Sequence, residues 1–196
     1  MPETDLKLLI DAAHAAGRIA TRFTGSTAEV WDKPNNAGPV TEADLAVNEM
    51  LLAELRGARP DYGWLSEETD DDTARLNHDR VFIIDPIDGT RGFIKGSSTW
   101  AHSLAIAEKG RIVAAVVYLP LRNKLYSAQA GEGAHLNGVP IHAKDREALL
   151  GARVLAAKPN LDPKHWHGDV PNVEQHYRPS LAYRLALVAE GKYDAM

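Results

Sequence analysis

Val81-Phe82-Ile83-Ile84-Asp85-Pro86-Ile87-Asp88-Gly89-Thr90 is the stretch on which the reading of this 196-residue chain turns. Four apolar residues in a row predict a buried strand that delivers Asp85 at its carboxyl end. Pro86 has no N–H and forbids further ladder bonding, which presents Asp85 at an edge. Asp88 follows around a tight turn, so both carboxylates can converge on a cation, and the Ile87 carbonyl between them can become a further oxygen ligand. Gly89 permits close backbone approach, and Thr90 starts a short helix whose free N–H groups would face a phosphate. Adjoining metal and anion sites suit phosphoryl chemistry, in which two cations activate a water and stabilise the leaving oxygen. Either half of the string is also a common turn that needs no metal. The whole string behind a strand, with Glu67-Glu68 upstream at the end of a second short strand (Gly63 to Ser66), is far more specific.

The surrounding pattern is that of an α/β protein. Leu6, Leu9, Ile10, Ala13, Ala16, Ile19, Ala20 and Phe23 recur at helical spacing and predict an opening helix that ends at Gly25. A second helix is expected from Thr41, because Thr41-Glu42-Ala43-Asp44 resembles a capping box, with Leu45, Met50, Leu51 and Leu55 in its buried stripe. Trp31 to Pro39 between them is turn-rich and polar, a surface loop or hairpin tip. Ala101 to Ala107 and Arg111 to Tyr118 are expected strands joined at Lys109-Gly110, with Leu125 to Ala128 adding another to the meander. Residues 181 to 190 return to a helix stopped at Gly191.

Composition narrows the chemistry. The chain has no cysteine, so any metal must sit on carboxylates, imidazoles or carbonyls, which favours hard cations. A net charge of −5 gives no basic field to collect nucleic acid or an anionic membrane, and an anionic substrate would need metal ions as bridges. No apolar run approaches a membrane span and the N-terminus lacks a signal-peptide pattern, so a cytoplasmic protein is expected. The expected partners are a small-molecule phosphate monoester and a second copy of the chain in a homodimer, with no nucleic-acid polymer and no membrane.

Asp44, Glu67-Glu68 and Asp85-Pro86-Ile87-Asp88-Gly89-Thr90 resemble the lithium-sensitive phosphatase signature of the inositol monophosphatase superfamily. Pro39 to Asp44, Val116-Val117-Tyr118, Leu125 to Ala128 and Leu187 to Gly191 are similar to further family segments in the family's order. The resemblance implies a layered α-β-α-β-α sandwich, as in fructose-1,6-bisphosphatase. Residues 1–150 would form an N-terminal α+β lobe with the metal motif. Residues 151–196 would begin a C-terminal α/β lobe that stops before the family's Trp-Asp motif, whose aspartate completes the second metal site.

Carried over position by position, the resemblance makes Glu67, Asp85 and the Ile87 carbonyl one Mg2+ ion's ligands, with Asp85 and Asp88 shared by a second, in a site of two or three ions inhibited by Li+. Thr90 and Glu67 would orient the attacking water, Asp44 would support Thr90, and the backbone of Gly89 and Thr90 would hold the phosphate. Arg91 and Ser180 are expected to face substrate, with Pro179-Ser180 standing where a Gly-Ser or Gly-Thr pair is usual. Leu65 to Glu68 and Arg91 to Lys95 look like the 3'(2'),5'-bisphosphate nucleotidase branch, the alternatives being inositol-1-monophosphatase and histidinol-phosphatase.

Haloacid-dehalogenase-type phosphatases also place an Asp-rich Gly-Thr motif after a strand, but as Asp-x-Asp-Gly-Thr; the spacing of three and Pro86 favour water over Asp85 as nucleophile. A regulatory or binding module on a phosphatase fold is the non-enzymatic alternative. His165-Trp166-His167 reads as a surface loop, Asp70-Asp71-Asp72 as a solvated turn, and Trp100 and His102 as packing residues.

Overall fold

The computed structural model describes residues 4–23, 28–33 and 38–196. Helix α1 (Asp5–Ala20) is capped by Thr4, whose side chain accepts from the Lys7 N–H, and buries Leu8, Leu9, Ala12, Ala13, Ala16 and Ala20 along one stripe. One 3-10 turn, Thr21–Phe23, follows, and the stop expected at Gly25 lies outside the described residues. Strands β1 (Val30–Asp32) and β2 (Pro39–Thr41) pair antiparallel. Part of the expected loop between them, residues 34–37, is likewise outside the described residues.

Helix α2 (Glu42–Ala58) starts one residue after the expected point because Thr41 is its cap. The capping box closes as read: the Asp44 N–H donates to Thr41 Oγ1 and the Thr41 N–H to Asp44 Oδ2. Its stripe is Ala43, Val47, Leu51 and Leu55, whereas Leu45 is turned outward. The reason is angular: at about 100° per residue, position 45 falls roughly 120° from position 51 around the axis.

Seven strands then form one sheet in chain order: β3 (Gly63–Ser66), β4 (Arg80–Asp88), β5 (Ala101–Glu108), β6 (Arg111–Leu119), β7 (Lys124–Gln129), β8 (Gly133–Leu136) and β9 (Val139–Ile141). Only β3 and β4 run parallel; every other pair is antiparallel. Lys109 and Gly110 both take positive φ at the β5–β6 turn, the conformation that matches the twist of a two-residue hairpin. Helices α1 and α2 cover one face, where Leu9, Leu51, Leu55, Phe82, Leu104 and Ile106 form the main core. The stretch expected to be wholly buried is buried on that face alone. Phe82 and Ile84 point in, while Ile83 is 37% exposed on the other side.

Pro140 sits in the three-residue edge strand β9, and the 3-10 segment Thr73–Asn77 packs over β3 at Gly63, where an added Cβ would meet Arg75 at 3.1 Å. Past β9, β10 (Arg153–Leu155) and β11 (Glu174–His176) make a small parallel sheet, with a parallel bridge from Val154 to Ala195. Helix α4 (Leu181–Ala189) joins the two sheets: Tyr183, Ala186 and Leu187 share a second core with Leu119 and Tyr126 of the large sheet and Leu155 of the small one. A polar tether reinforces this contact, as Tyr126 Oη and Lys124 Nζ donate to the Glu190 carboxylate at 2.6 and 2.9 Å. The layering is the mixed α/β architecture expected. Among the described residues, no helix is long and apolar enough to cross a membrane.

Candidate active site

The site forms where β4 outruns β3. After Ser66 the parallel pairing ends, Glu67 makes one last bond from its N–H to the Ile84 carbonyl at 3.2 Å, and β4 carries Asp85 past the edge. On its other side β4 stays paired, contrary to the expectation that Pro86 ends the ladder. Asp85 pairs with Ser103 and Asp88 with Ala101, so Pro86 and Ile87 together stand opposite His102. This is a bulge, and its missing donor falls on the one residue that has none to give.

His102 completes the bulge. Its Nδ1 lies 2.5 Å from the Pro86 carbonyl oxygen, and because a carbonyl only accepts, Nδ1 carries the proton. The ring is wholly buried, edge-on to Trp100 at 5.4 Å and tilted against Tyr118 at 6.3 Å. Burial drives its pKa down to about 4, and among the described residues Nε2 has no hydrogen-bond partner. Such an unpaired acceptor costs about 1–3 kcal/mol. Trp100 packs edge-on against Phe93 as expected of a packing residue, whereas His102 is a polar partner that the sequence reading missed.

The carboxylates gather at this end of β4. Asp44 is fully buried on α2; its Oδ2 accepts from the Thr41 N–H and Oγ1, and Thr90 Oγ1 lies 3.3 Å from its Oδ1 and 3.0 Å from the Ile87 carbonyl. Burial pushes Asp44 above the usual carboxylate range. Asp85 is pushed up to about 8, first by burial and then by the charges of Glu67, Asp88, Asp44 and Glu68. The Asp88 side chain points towards α4: Ser180 Oγ donates to it at 2.5 Å, the Ala182 N–H at 2.6 Å and the Leu181 N–H at 3.2 Å, so a carboxylate joins the N-cap Ser180 at the start of that helix. Gly89, at φ 95°, turns the chain into helix α3 (Thr90–Ile94). An added Cβ there would stand 3.2 Å from the Ser180 nitrogen.

Lys33 was read as part of a surface loop, yet its side chain is only 14% exposed and its Nζ lies 2.9 Å from Glu67 and 2.7 Å from Glu68. Burial alone would lower the lysine's pKa, but the two acids outweigh it and hold it above its ordinary value. Glu68 is itself raised by burial despite that contact. With one ammonium between two acids, the lysine charge is secured and the acids remain crowded.

As placed, Glu67 is drawn to Lys33 and Asp88 to α4, so among the described residues no three acidic or histidine side chains stand grouped about one ion's position. The donor set nonetheless fits a hard divalent cation. It is all oxygen, it crowds carboxylates around Asp85, and a carbonyl, that of Ile87, lies between two of the acids in the chain. Beside it opens a polar cleft of about 230 Å³ whose walls include Gly38, Glu67, Thr90, Arg91, Tyr177 and Pro179. A larger cavity of about 700 Å³ lies elsewhere, lined by Asp5, Arg59, Tyr62 and Arg80, where both arginines are already paired with Asp5. His165 and His167 are exposed, Asp71 pairs with Arg75, and Asp72 caps the Thr73–Asn77 turn.

Comparison with known proteins decides the family, since the model of the inositol monophosphatase family matches residues 1–196. The chain belongs to the inositol monophosphatase family. Its class is that of the phosphoric monoester hydrolases. It is 33% identical over 199 residues to an inositol-1-monophosphatase of Mesorhizobium japonicum, covering 96% of this chain and 74% of that protein. It is 30% identical over 205 residues to a Nus factor SuhB of Xylella fastidiosa, covering all of this chain and 73% of that one. The solved structure of the IMPase TM1415 of Thermotoga maritima superimposes with a TM-score of 0.83 at 26% identity, over 96% of this chain and 73% of that chain. None of these three carries a bisphosphate-nucleotidase name. The inositol monophosphatase fold thus supplies the frame, and the branch rests on the site.

Proposed function

We propose that this chain hydrolyses a small phosphate monoester with Mg2+ as cofactor and water as nucleophile. The observation that carries the reading is the crowding of Asp44, Glu67, Glu68 and Asp88 around a half-buried Asp85, next to the Gly89 turn that opens helix α3 at Thr90. Glu67, Asp85 and the Ile87 carbonyl would hold one ion, and Asp85 with Asp88 a second. Bound there, Mg2+ would supply water activation and charge neutralisation on the phosphate. Thr90 Oγ1, already fixed between Asp44 and the Ile87 carbonyl, orients the water together with Glu67, and the Gly89 and Thr90 backbone holds the phosphate.

For the substrate, 33% identity to an inositol-1-monophosphatase over nearly the whole chain outweighs the short resemblance of Leu65 to Glu68 and Arg91 to Lys95, so inositol 1-phosphate is the proposed substrate. Adenosine 3',5'-bisphosphate is the second reading, supported by Arg91, whose guanidinium borders the cleft and offers a cation to a second phosphate. Phosphate release from these two compounds and histidinol phosphate, in Mg2+, in EDTA and with Li+ added, tests both. Mg2+-dependent, Li+-sensitive release is expected, fastest on inositol 1-phosphate. Equal release in EDTA, or a phosphoaspartate trapped at Asp85, would overturn the mechanism.

A further inference from the structure

We infer that His102 is a positioning residue for the Asp85–Asp88 turn: its Nδ1–H holds the Pro86 carbonyl, and so sets the aim of the next carbonyl, that of Ile87, and the spacing of the two aspartates. This rests on the reading of Asp85, Ile87 and Asp88 as cation ligands.

The backbone creates the need. A two-against-one bulge breaks the run of ladder bonds and leaves backbone groups without ladder partners. Here the bulged residues are Pro86 and Ile87, and both are buried, so water is a poor substitute. The residue opposite them on β5 is His102, and its side chain makes the bond that the ladder cannot, at 2.5 Å. With the Pro86 carbonyl turned into the core, the Ile87 carbonyl is left to face Thr90 Oγ1, 3.0 Å away. Two successive peptide planes are thereby fixed in different directions by two different side chains.

The ring is held in the orientation that this bond requires. Trp100 meets it edge-on, Tyr118 lies tilted against it, and Tyr118 is itself met edge-on by His14 at 4.9 Å. Among the described residues Nε2 has no hydrogen-bond partner, and the contact to Pro86 is the one hydrogen bond the imidazole makes with them. An apolar residue would fill this space without an orphaned nitrogen, but it would leave the Pro86 carbonyl free to swing. A polar group kept at that cost is explained by what it holds in place.

Two substitutions separate positioning from packing. His102→Phe keeps a ring of similar size and removes the donor; His102→Asn keeps an N–H donor near the Nδ1 position and gives up the ring. In EDTA, amide hydrogen exchange at Ile87, Asp88, Gly89 and Thr90 is expected to be about tenfold faster in H102F and close to wild type in H102N. Mn2+ affinity, measured directly by its electron-spin signal, should fall about tenfold in H102F and by no more than about threefold in H102N. A purely structural role predicts that both readouts follow the melting temperature instead, with H102N the more damaged. Wild-type exchange and affinity in H102F would overturn the inference, as would a 15N-histidine spectrum of the wild type showing the proton on Nε2. If H102F does not fold, fast exchange at Ile87–Thr90 in H102N overturns it. If the wild type binds no Mn2+, the cation reading fails, and the exchange measurements alone decide the role of His102.

Discussion

Ser180 Oγ donates to Asp88 Oδ2 at 2.5 Å, tying the first turn of α4 to the turn that leaves β4, across 92 residues of chain. One carboxylate therefore serves two structures, a proposed cation site and the cap of a helix that joins both sheets.

Asp88→Asn is expected to abolish Mg2+-dependent turnover, by more than about a hundredfold, because an amide supplies no charge to a hard cation. The same variant should lose about 1–2 kcal/mol of stability even in EDTA, through the weakened cap of α4. Ser180→Ala should lose about 1 kcal/mol and retain most metal binding. Urea unfolding in EDTA, set beside turnover against Mg2+ concentration, checks all three; an unchanged rate in D88N would remove Asp88 from the site.

Asp85→Asn should do the opposite to stability. The Asp85 carboxyl, ordinarily near 3.8, is held up to about 8 by burial and by Glu67, Asp88, Asp44 and Glu68, so the metal-free protein loses stability as pH rises between those values. Removing the charge should stabilise the metal-free protein at pH 8 by roughly 2–4 kcal/mol. Mg2+ should then raise the melting temperature of the wild type and not of the variant. A less stable D85N in EDTA would show that crowding is relieved some other way.

Lys33→Gln probes the ammonium that spans Glu67 and Glu68. Since the lysine and a cation compete for Glu67, the variant is expected to bind the first Mn2+ more tightly, by about three- to tenfold. Calorimetric titration at fixed ionic strength reads this directly. Weaker binding would mean that the ammonium holds the acids in place rather than opposing the metal.

His102 should be visible in the pH dependence of stability. Its folded pKa of about 4 lies below the ordinary 6.5, so its contribution is fully present above pH 6.5 and is lost as pH falls towards 4. The wild type should therefore lose about 2–3 kcal/mol more than H102N between pH 7 and 4.5. Parallel stability curves for the two proteins would show that the ring is protonated without strain.

What was legible in the sequence was what the sequence writes locally. The strand into Asp85, the Thr41–Asp44 capping box, the Lys109-Gly110 turn and the stop at Gly191 all rest on contacts within a few residues, and all are present. The missed features need pairing information. Lys33 meets Glu67 and Glu68 across more than thirty residues of chain. His102 matters only because a bulge sets it opposite Pro86, and no periodicity announces a register shift. Leu45 was misplaced for a smaller reason, a hydrophobic residue just off the stripe that its neighbours define.

The β9 end of the large sheet bears on how copies of this chain can meet. β9 carries Pro140, which has no N–H to offer an added strand, so that border does not invite another strand. Extension of the large sheet past β9 is thereby discouraged. Two copies meeting on that side would do so through surfaces, where side chains and not backbone ladders choose the partner, and where a few substitutions can change that choice without disturbing the site at the end of β4.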